Sequence, residues 1–342
     1  MPAINRRLVL KERPRFQIPT AKCFRLEEVV IPKPVEGQIR IKTTWLGMDP
    51  NQFSKVKKVS DQSKPIDIGA VMYGATVGVV DISNHPDFNA GDVVHGLWGW
   101  QEFHVCDGYG ITKIANDGLR PSYYLGALGA AGFGAYLAVS DVLKVGRGDV
   151  VFCSAATGAL GQIVGQLSKS KGAIVYGSAS SDEKCNLAVS ELGYKACFNY
   201  KDQDFERIVS DRIEAGIDAM VVSAGGKTFD ATFPIMNVGG CIAVCGLMAL
   251  YSMSQLPITS DRSFMILNEI LLKRLSIKGS MVLDKLNTDV HFQFLSEMKK
   301  LINHGEVTPI EHVVEGLENA PDALRGVFDG DNIGKCVVHV AD

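Results

Sequence analysis

The sequence has no Cys-x-x-Cys pair, no histidines at metal-ligand spacing, no basic excess and no apolar run long enough to cross a bilayer. Each absence excludes something. With 35 basic and 38 acidic residues in 342, the formal charge is −3, which leaves no cationic surplus for nucleic acid or an anionic membrane. The longest apolar stretch, Leu125 to Val139, is too short and too glycine-rich for a membrane span, and MPAINRRLVL lacks the apolar core of a signal segment. Eight cysteines are present, at 23, 106, 153, 185, 197, 241, 245 and 336. Cys153, Cys241 and Cys245 fall in apolar, strand-like runs, and Cys241 and Cys245 lie too far apart on an extended chain to bridge. Reduced, buried thiols in a cytoplasmic protein are the expectation.

What the chain has in abundance is glycine, 35 residues of it, and two rhythms. Up to about residue 120, short β-rich segments such as IRIKTTWLGMDP, VGVVDI and EFHVCDGYGITKI alternate with Pro, Gly and Asn-Ala-Gly-Asp turns. From about 126 the rhythm becomes strand, helix, strand. Strands are expected at 150–155, 173–179, 195–200, 217–224, 240–246 and 275–282, with helices at 160–170, 182–192, 203–215, 227–237 and 262–274. Six alternating strands predict an α/β fold with a doubly wound parallel sheet. The tail GKCVVHV reads as a strand that returns to the first, β-rich module. The expected domains are therefore 1–125 completed by 312–342, and 126–311.

The strand at 150–155 runs into Gly158-Ala159-Leu160-Gly161 and then a helix. Gly158 permits close phosphate approach, Gly161 permits tight helix packing, and the helix N-terminus offers unpaired N–H groups to a pyrophosphate. After the next strand, an acidic residue would hold the adenosine ribose of NAD; here stand Ser178, Ser180 and Ser181, with Lys184 one turn on. Hydroxyl donors and a cation at that point predict NADP(H).

Several stretches together resemble the zinc-independent branch of the medium-chain dehydrogenase/reductase superfamily. The similarity is to the leukotriene B4 dehydrogenase, prostaglandin reductase and alkenal double-bond reductase group. They are Gly47-Met48-Asp49-Pro50, the run 86–94, Gly99 to Phe103, Gly177 to Cys185, Phe198 to Lys201, Val314 to Pro321 and Asn332 to Lys335. The resemblance implies a GroES-like β-rich domain, a six-stranded Rossmann domain and a ligand cleft between them. It implies that Lys184 and Tyr200 contact the 2′-phosphate and that Asn332 holds the nicotinamide half. The catalytic cysteine and Gly-His-Glu of zinc-dependent relatives fall near Met48 and Gly74-Ala75-Thr76, which cannot supply a thiolate, imidazole and carboxylate. No metal is expected.

The implied activity is NADPH-dependent reduction of the C=C bond of α,β-unsaturated aldehydes or ketones, with hydride delivered to the β-carbon. Two alternatives stand beside it: a zinc-independent carbonyl reductase, and a nucleotide-binding homologue without catalysis. Tyr251 takes the position of the group's tyrosine; its phenol either donates to the enolate oxygen or only lines the pocket. Asn51 replaces a tyrosine, and either binds a carbonyl oxygen or caps a turn. Ser280 replaces a phenylalanine. Asn51, Tyr251 and Ser280 thus define a more polar substrate pocket. A homodimer joined through the Rossmann sheets is implied by the same resemblance.

Overall fold

The computed structural model describes residues 4–14, 18–57, 64–251 and 262–341. The chain divides into two units, Met1–Gly126 with Glu311–Asp342, and Ala127–Ile310.

The first unit opens with β1 (Ile4–Leu10) and β2 (Phe24–Val30), an antiparallel pair. Next come β3 (Ile39–Gly47), α1 (Gln52–Val56), β4 (Thr76–Ser83), β5 (Val93–Gly96), β6 (Phe103–Cys106) and β7 (Thr112–Lys113). In β3, side chains point alternately to the two faces, so Ile39 and Ile41 join Val80, Phe88, Val94 and Trp98 in one apolar core.

The second unit carries α2 (Ala130–Tyr136), β8 (Val150–Cys153), α3 (Gly161–Ser170), β9 (Ile174–Ala179), α4 (Asp182–Glu191), β10 (Ala196–Asn199) and α5 (Phe205–Arg212). It continues with β11 (Ile217–Val222), α6 (Lys227–Thr232), β12 (Met236–Val244), α7 (Met248–Tyr251), α8 (Ser263–Lys273), β13 (Ser276–Gly279) and α9 (Asp289–Asn303). The strands form a parallel six-stranded sheet in the order β10-β9-β8-β11-β12-β13. Its interior strands are apolar on both faces because helices cover both, and Phe152, Phe205, Ile217, Met220 and Ile242 anchor one core.

The alternation expected for this region is present, with the largest shift at one boundary. The helix expected at 227–237 stops at Thr232, because Pro234 has no N–H to continue it and sits in a 3₁₀ turn. β12 consequently starts at Met236 rather than at 240.

The chain then returns to the first unit through β14 (Glu311–Glu315), α10 (Ala320–Asp329) and β15 (Lys335–His339). β15 pairs antiparallel with β3 and parallel with β14, giving the order β14-β15-β3-β4-β5-β7, with β6 also on β3. Among the described residues, no helix is long and apolar enough to cross a membrane.

Candidate active site

In the second unit the strand order reverses between β8 and β11. From β8 the chain steps outward to β9 and β10, then crosses back to β11. Open parallel sheets bind ligands in the crevice at the carboxyl ends of the strands at such a reversal. The two strand ends are laced together: Ser223 N and Ala224 N donate to Ser154 Oγ (2.9 and 3.3 Å), and Ser223 Oγ donates to Ser154 O at 2.9 Å.

The glycine turn starts at this place. Ala155 adopts φ +54°, a conformation that side chains resist, and Gly158 N closes the turn onto Ala155 O at 2.9 Å. A Cβ on Gly161 would lie 2.2 Å from Ala155 O, so only glycine lets α3 begin against the strand end. Leu160 is the helix cap and contributes no side-chain hydrogen bond, so Gly158, Ala159, Leu160 and Gly161 present backbone alone. That cradle suits a pyrophosphate, which backbone N–H groups bind without a cation.

A residue outside the sequence reading holds this cradle from below. Tyr194 is buried, and its hydroxyl donates to Gly161 O at 2.8 Å. Its ring lies so close to Gly165 and Gly177 that a Cβ on either would approach ring carbons at 2.3 and 2.7 Å. Burial, then the neighbouring Cys153 thiol, keeps the phenol well above its ordinary pKa and therefore neutral. The glycines at 165 and 177 were the available signal: both lie on buried elements that have no turn to make.

At the adjoining strand ends, Tyr200 N donates to Ala179 O at 3.1 Å, which brings Tyr200 beside Ser180. Ser181 caps α4, its hydroxyl accepting from Lys184 N at 3.3 Å. Ser180, Ser181, Lys184 and Tyr200 thus share the carboxyl edge of β9 and β10, all of them partly exposed. Asp182, in the first turn of α4, accepts from Asn199 Nδ2 at 3.0 Å. Ser178 does not belong to this group. It is fully enclosed, its hydroxyl 3.4 Å from Thr228 Oγ1, because it lies within β9 while Ser180 and Ser181 follow the end of that strand, and we assign it no phosphate contact.

On the other side of the reversal, Tyr251 ends the short helix α7, four residues long, that follows β12. Burial raises the pKa of its phenol above the ordinary value. Ser280 follows β13; its N–H donates to Val244 O at 2.9 Å, and its side chain lowers the pKa of the Cys245 thiol against the larger, opposite effect of burial.

Asn51 and Asn332 belong to the first unit. The side chain of Asn51 makes no cap hydrogen bond to α1; its backbone carbonyl instead accepts from Ser54 N (3.1 Å) and Ser54 Oγ (2.6 Å). The turn is thus closed by serine, which leaves the Asn51 amide exposed. Asn332 Nδ2 donates to Gly334 O at 2.7 Å. The two segments are joined by a buried lysine that no local pattern in the sequence marks. Lys335 is 1% exposed, and its ammonium donates to Met48 O at 2.9 Å and pairs with the Asp49 carboxylate. Met48 is itself buried, and Thr76 Oγ1 donates to Gly96 O at 3.0 Å. Among the described residues, no three His, Cys, Asp or Glu side chains are grouped to hold a metal ion. The thiols also differ from expectation, since Cys106, Cys197, Cys241 and Cys245 are only half-buried.

A glycine turn at the reversal of an open parallel sheet, under a helix N-terminus, defines a nucleotide-dependent oxidoreductase scaffold. Residues 6–114 match the family described as N-terminal domain of oxidoreductase, and residues 159–300 the family described as zinc-binding dehydrogenase. The chain is 37% identical over 337 residues to the NADPH-dependent curcumin reductase of Escherichia coli (strain K12), covering 98% of this chain and 97% of that one. It is 35% identical over 308 residues to the 2-alkenal reductase (NADP(+)-dependent) of Nicotiana tabacum, covering 89% and 88%. The crystal structure of CurA in complex with NADPH from Vibrio vulnificus superposes with a TM-score of 0.93 at 36% identity, over 98% of this chain and 99% of that one. The protein therefore belongs to the medium-chain dehydrogenase/reductase family, in its zinc-independent reductase group, and is an oxidoreductase.

Proposed function

We propose that the protein is an NADPH-dependent reductase of the C=C bond of α,β-unsaturated aldehydes or ketones, acting without a metal. The observation that carries the cofactor choice is the edge formed by Ser180, Ser181, Lys184 and Tyr200, beside which the Asp182 carboxylate is engaged by Asn199. A hydroxyl-and-ammonium edge favours a dianionic 2′-phosphate over a ribose hydroxyl. Whole-length similarity to reductases named for NADPH and for 2-alkenals supports the substrate class.

In this reading the backbone of Gly158, Ala159, Leu160 and Gly161 holds the pyrophosphate. Lys184 and Tyr200 hold the 2′-phosphate, and Asn332 holds the nicotinamide half. NADPH, when bound, supplies the hydride that reaches the β-carbon of the substrate. The chain must then stabilise the negative charge arriving on the carbonyl oxygen. Tyr251 suits that role, because a phenol is protonated at neutral pH and can donate, and burial raises its pKa further. Asn51 offers an exposed amide in the first unit and Ser280 a hydroxyl in the second, and this reading assigns both to the substrate.

The assembly in this reading is a homodimer. β13 is exposed along its length at the sheet edge, and α8 exposes Phe264, Leu267, Leu271 and Leu272. A second copy adding its own β13 satisfies both the open edge and the apolar face.

The test is product identity. Incubation with NADPH and a simple enone is expected to yield the saturated ketone, assigned by mass and NMR. An allylic alcohol would instead establish carbonyl reduction, and cofactor binding without turnover over a broad panel would establish a non-catalytic homologue.

A further inference from the structure

Cys185 in α4 and Cys197 in β10 are brought together where α4 packs on β10, close enough that each thiol shifts the pKa of the other. Both line a cavity of about 200 Å³, together with Asp182, Asn186, Asn199 and Asp202. Asp182, Asn186 and Asp202 are exposed, so the cavity opens to solvent, and it has room for several water-sized molecules. The other thiols with a distinct shift are less acidic than usual: Cys153 is pushed up to about 12, and Cys245 and Cys336 to about 11, each chiefly by burial. Cys185 goes the opposite way. The neighbouring Cys197 thiol lowers it, against opposition from burial and from the Asp182 and Asp202 carboxylates.

We propose that Cys185 and Cys197 form an oxidisable dithiol that a hydroperoxide converts to a disulfide, loosening the grip on NADPH. The Cys185 thiolate attacks the O–O bond of ROOH, forming an S–O bond and releasing RO⁻, which takes up a proton to leave as ROH. The Cys197 sulfur then attacks the Cys185 sulfenic acid, forming the S–S bond and expelling water. The two thiols lose two electrons in total and the O–O bond gains them. Access for the peroxide is through the cavity.

The effect on cofactor rests on the NADPH reading above. Lys184 immediately precedes Cys185, and Tyr200 follows Cys197 by three residues. A disulfide holds its sulfurs about 2.05 Å apart, far closer than two unbonded thiols approach, so the start of α4 must move toward β10. Lys184 is carried with it, out of the register that the Ser181 cap sets. A displacement near 1 Å in a charge-assisted contact costs on the order of tenfold in affinity or more.

The full-length protein would be treated with stoichiometric hydrogen peroxide, alkylated and digested without reduction. NADPH and NADH affinities would be measured before treatment, after it and after dithiothreitol. A Cys185–Cys197 linked peptide is expected, with NADPH Kd rising about tenfold, NADH little changed, and recovery on reduction. In Cys197→Ser the link is lost and dimedone traps a sulfenic acid on Cys185. Cys185 oxidised past sulfenic acid without a link, or a link to another cysteine, would overturn the dithiol. A link with unchanged NADPH affinity would overturn its coupling to the cofactor. Reduced Lys184→Ala tests the cofactor reading separately: equal loss of NADPH and NADH would sink that reading and leave the dithiol standing.

Discussion

Lys335 and Tyr194 hold comparable places in the two units. Each is enclosed by protein, and each aims its polar end at a backbone segment on which the site depends. Yet one is an ammonium and the other a neutral phenol. Lys335 ties two loops at opposite ends of the sequence, and Gly126 keeps room for its stem, since a Cβ there would lie 3.0 Å from Lys335 Cγ. Tyr194 supports a turn next to where a pyrophosphate is proposed to lie, beneath glycines whose missing side chains make its space. A buried charge must keep its partner or lose several kcal/mol, whereas a buried phenol needs only one acceptor. The first unit therefore stakes its loop positions on an ion pair, and the second on steric fit with a single hydrogen bond.

The comparison breaks most visibly at the ion pair. Lys335→Met leaves Asp49 without its partner and should destabilise the protein by about 3–5 kcal/mol in urea unfolding, and adding Asp49→Leu should restore much of that loss. An equal loss in the double variant would show that the lost hydrogen bond to Met48 O, and not the unpaired Asp49 charge, sets the cost. Gly161→Ala comes next: its Cβ would meet Ala155 O at 2.2 Å, and the turn must open. NADPH affinity in titrations is expected to fall roughly a hundredfold, with the circular dichroism spectrum retained. The smallest effect is expected of Tyr194→Phe, which keeps the ring and loses one neutral hydrogen bond. A stability loss of about 1 kcal/mol is the expectation, with NADPH affinity reduced only a few-fold. A loss matching Gly161→Ala would mean that the hydroxyl, and not the glycine, governs the cradle.

Much of the second unit was legible because its signals are local. The alternation of strands and helices, the Gly158–Gly161 turn and the Ser181 cap depend on residues within a few positions of one another, and all are present. The differences are of strand depth and of breakage. Ser178 resembles Ser180 and Ser181 in a row of small residues, but it lies inside β9 while they follow its end. Pro234 sat inside an apolar helical pattern and ended it. Asn51, a plausible cap by composition, leaves its turn to be closed by Ser54.

By itself the sequence determined the fold class, the place of the phosphate-binding turn and the family, because backbone conformation and periodicity are properties of neighbouring residues. Tertiary structure alone decided which side chains meet. Lys335 finds Asp49, Tyr194 finds Gly161 and Cys185 finds Cys197 only through sheet order and helix packing, contacts that no local pattern records. Burial decides the rest, since it makes the Lys335 ammonium depend on the Asp49 carboxylate and leaves the Tyr194 phenol one backbone acceptor.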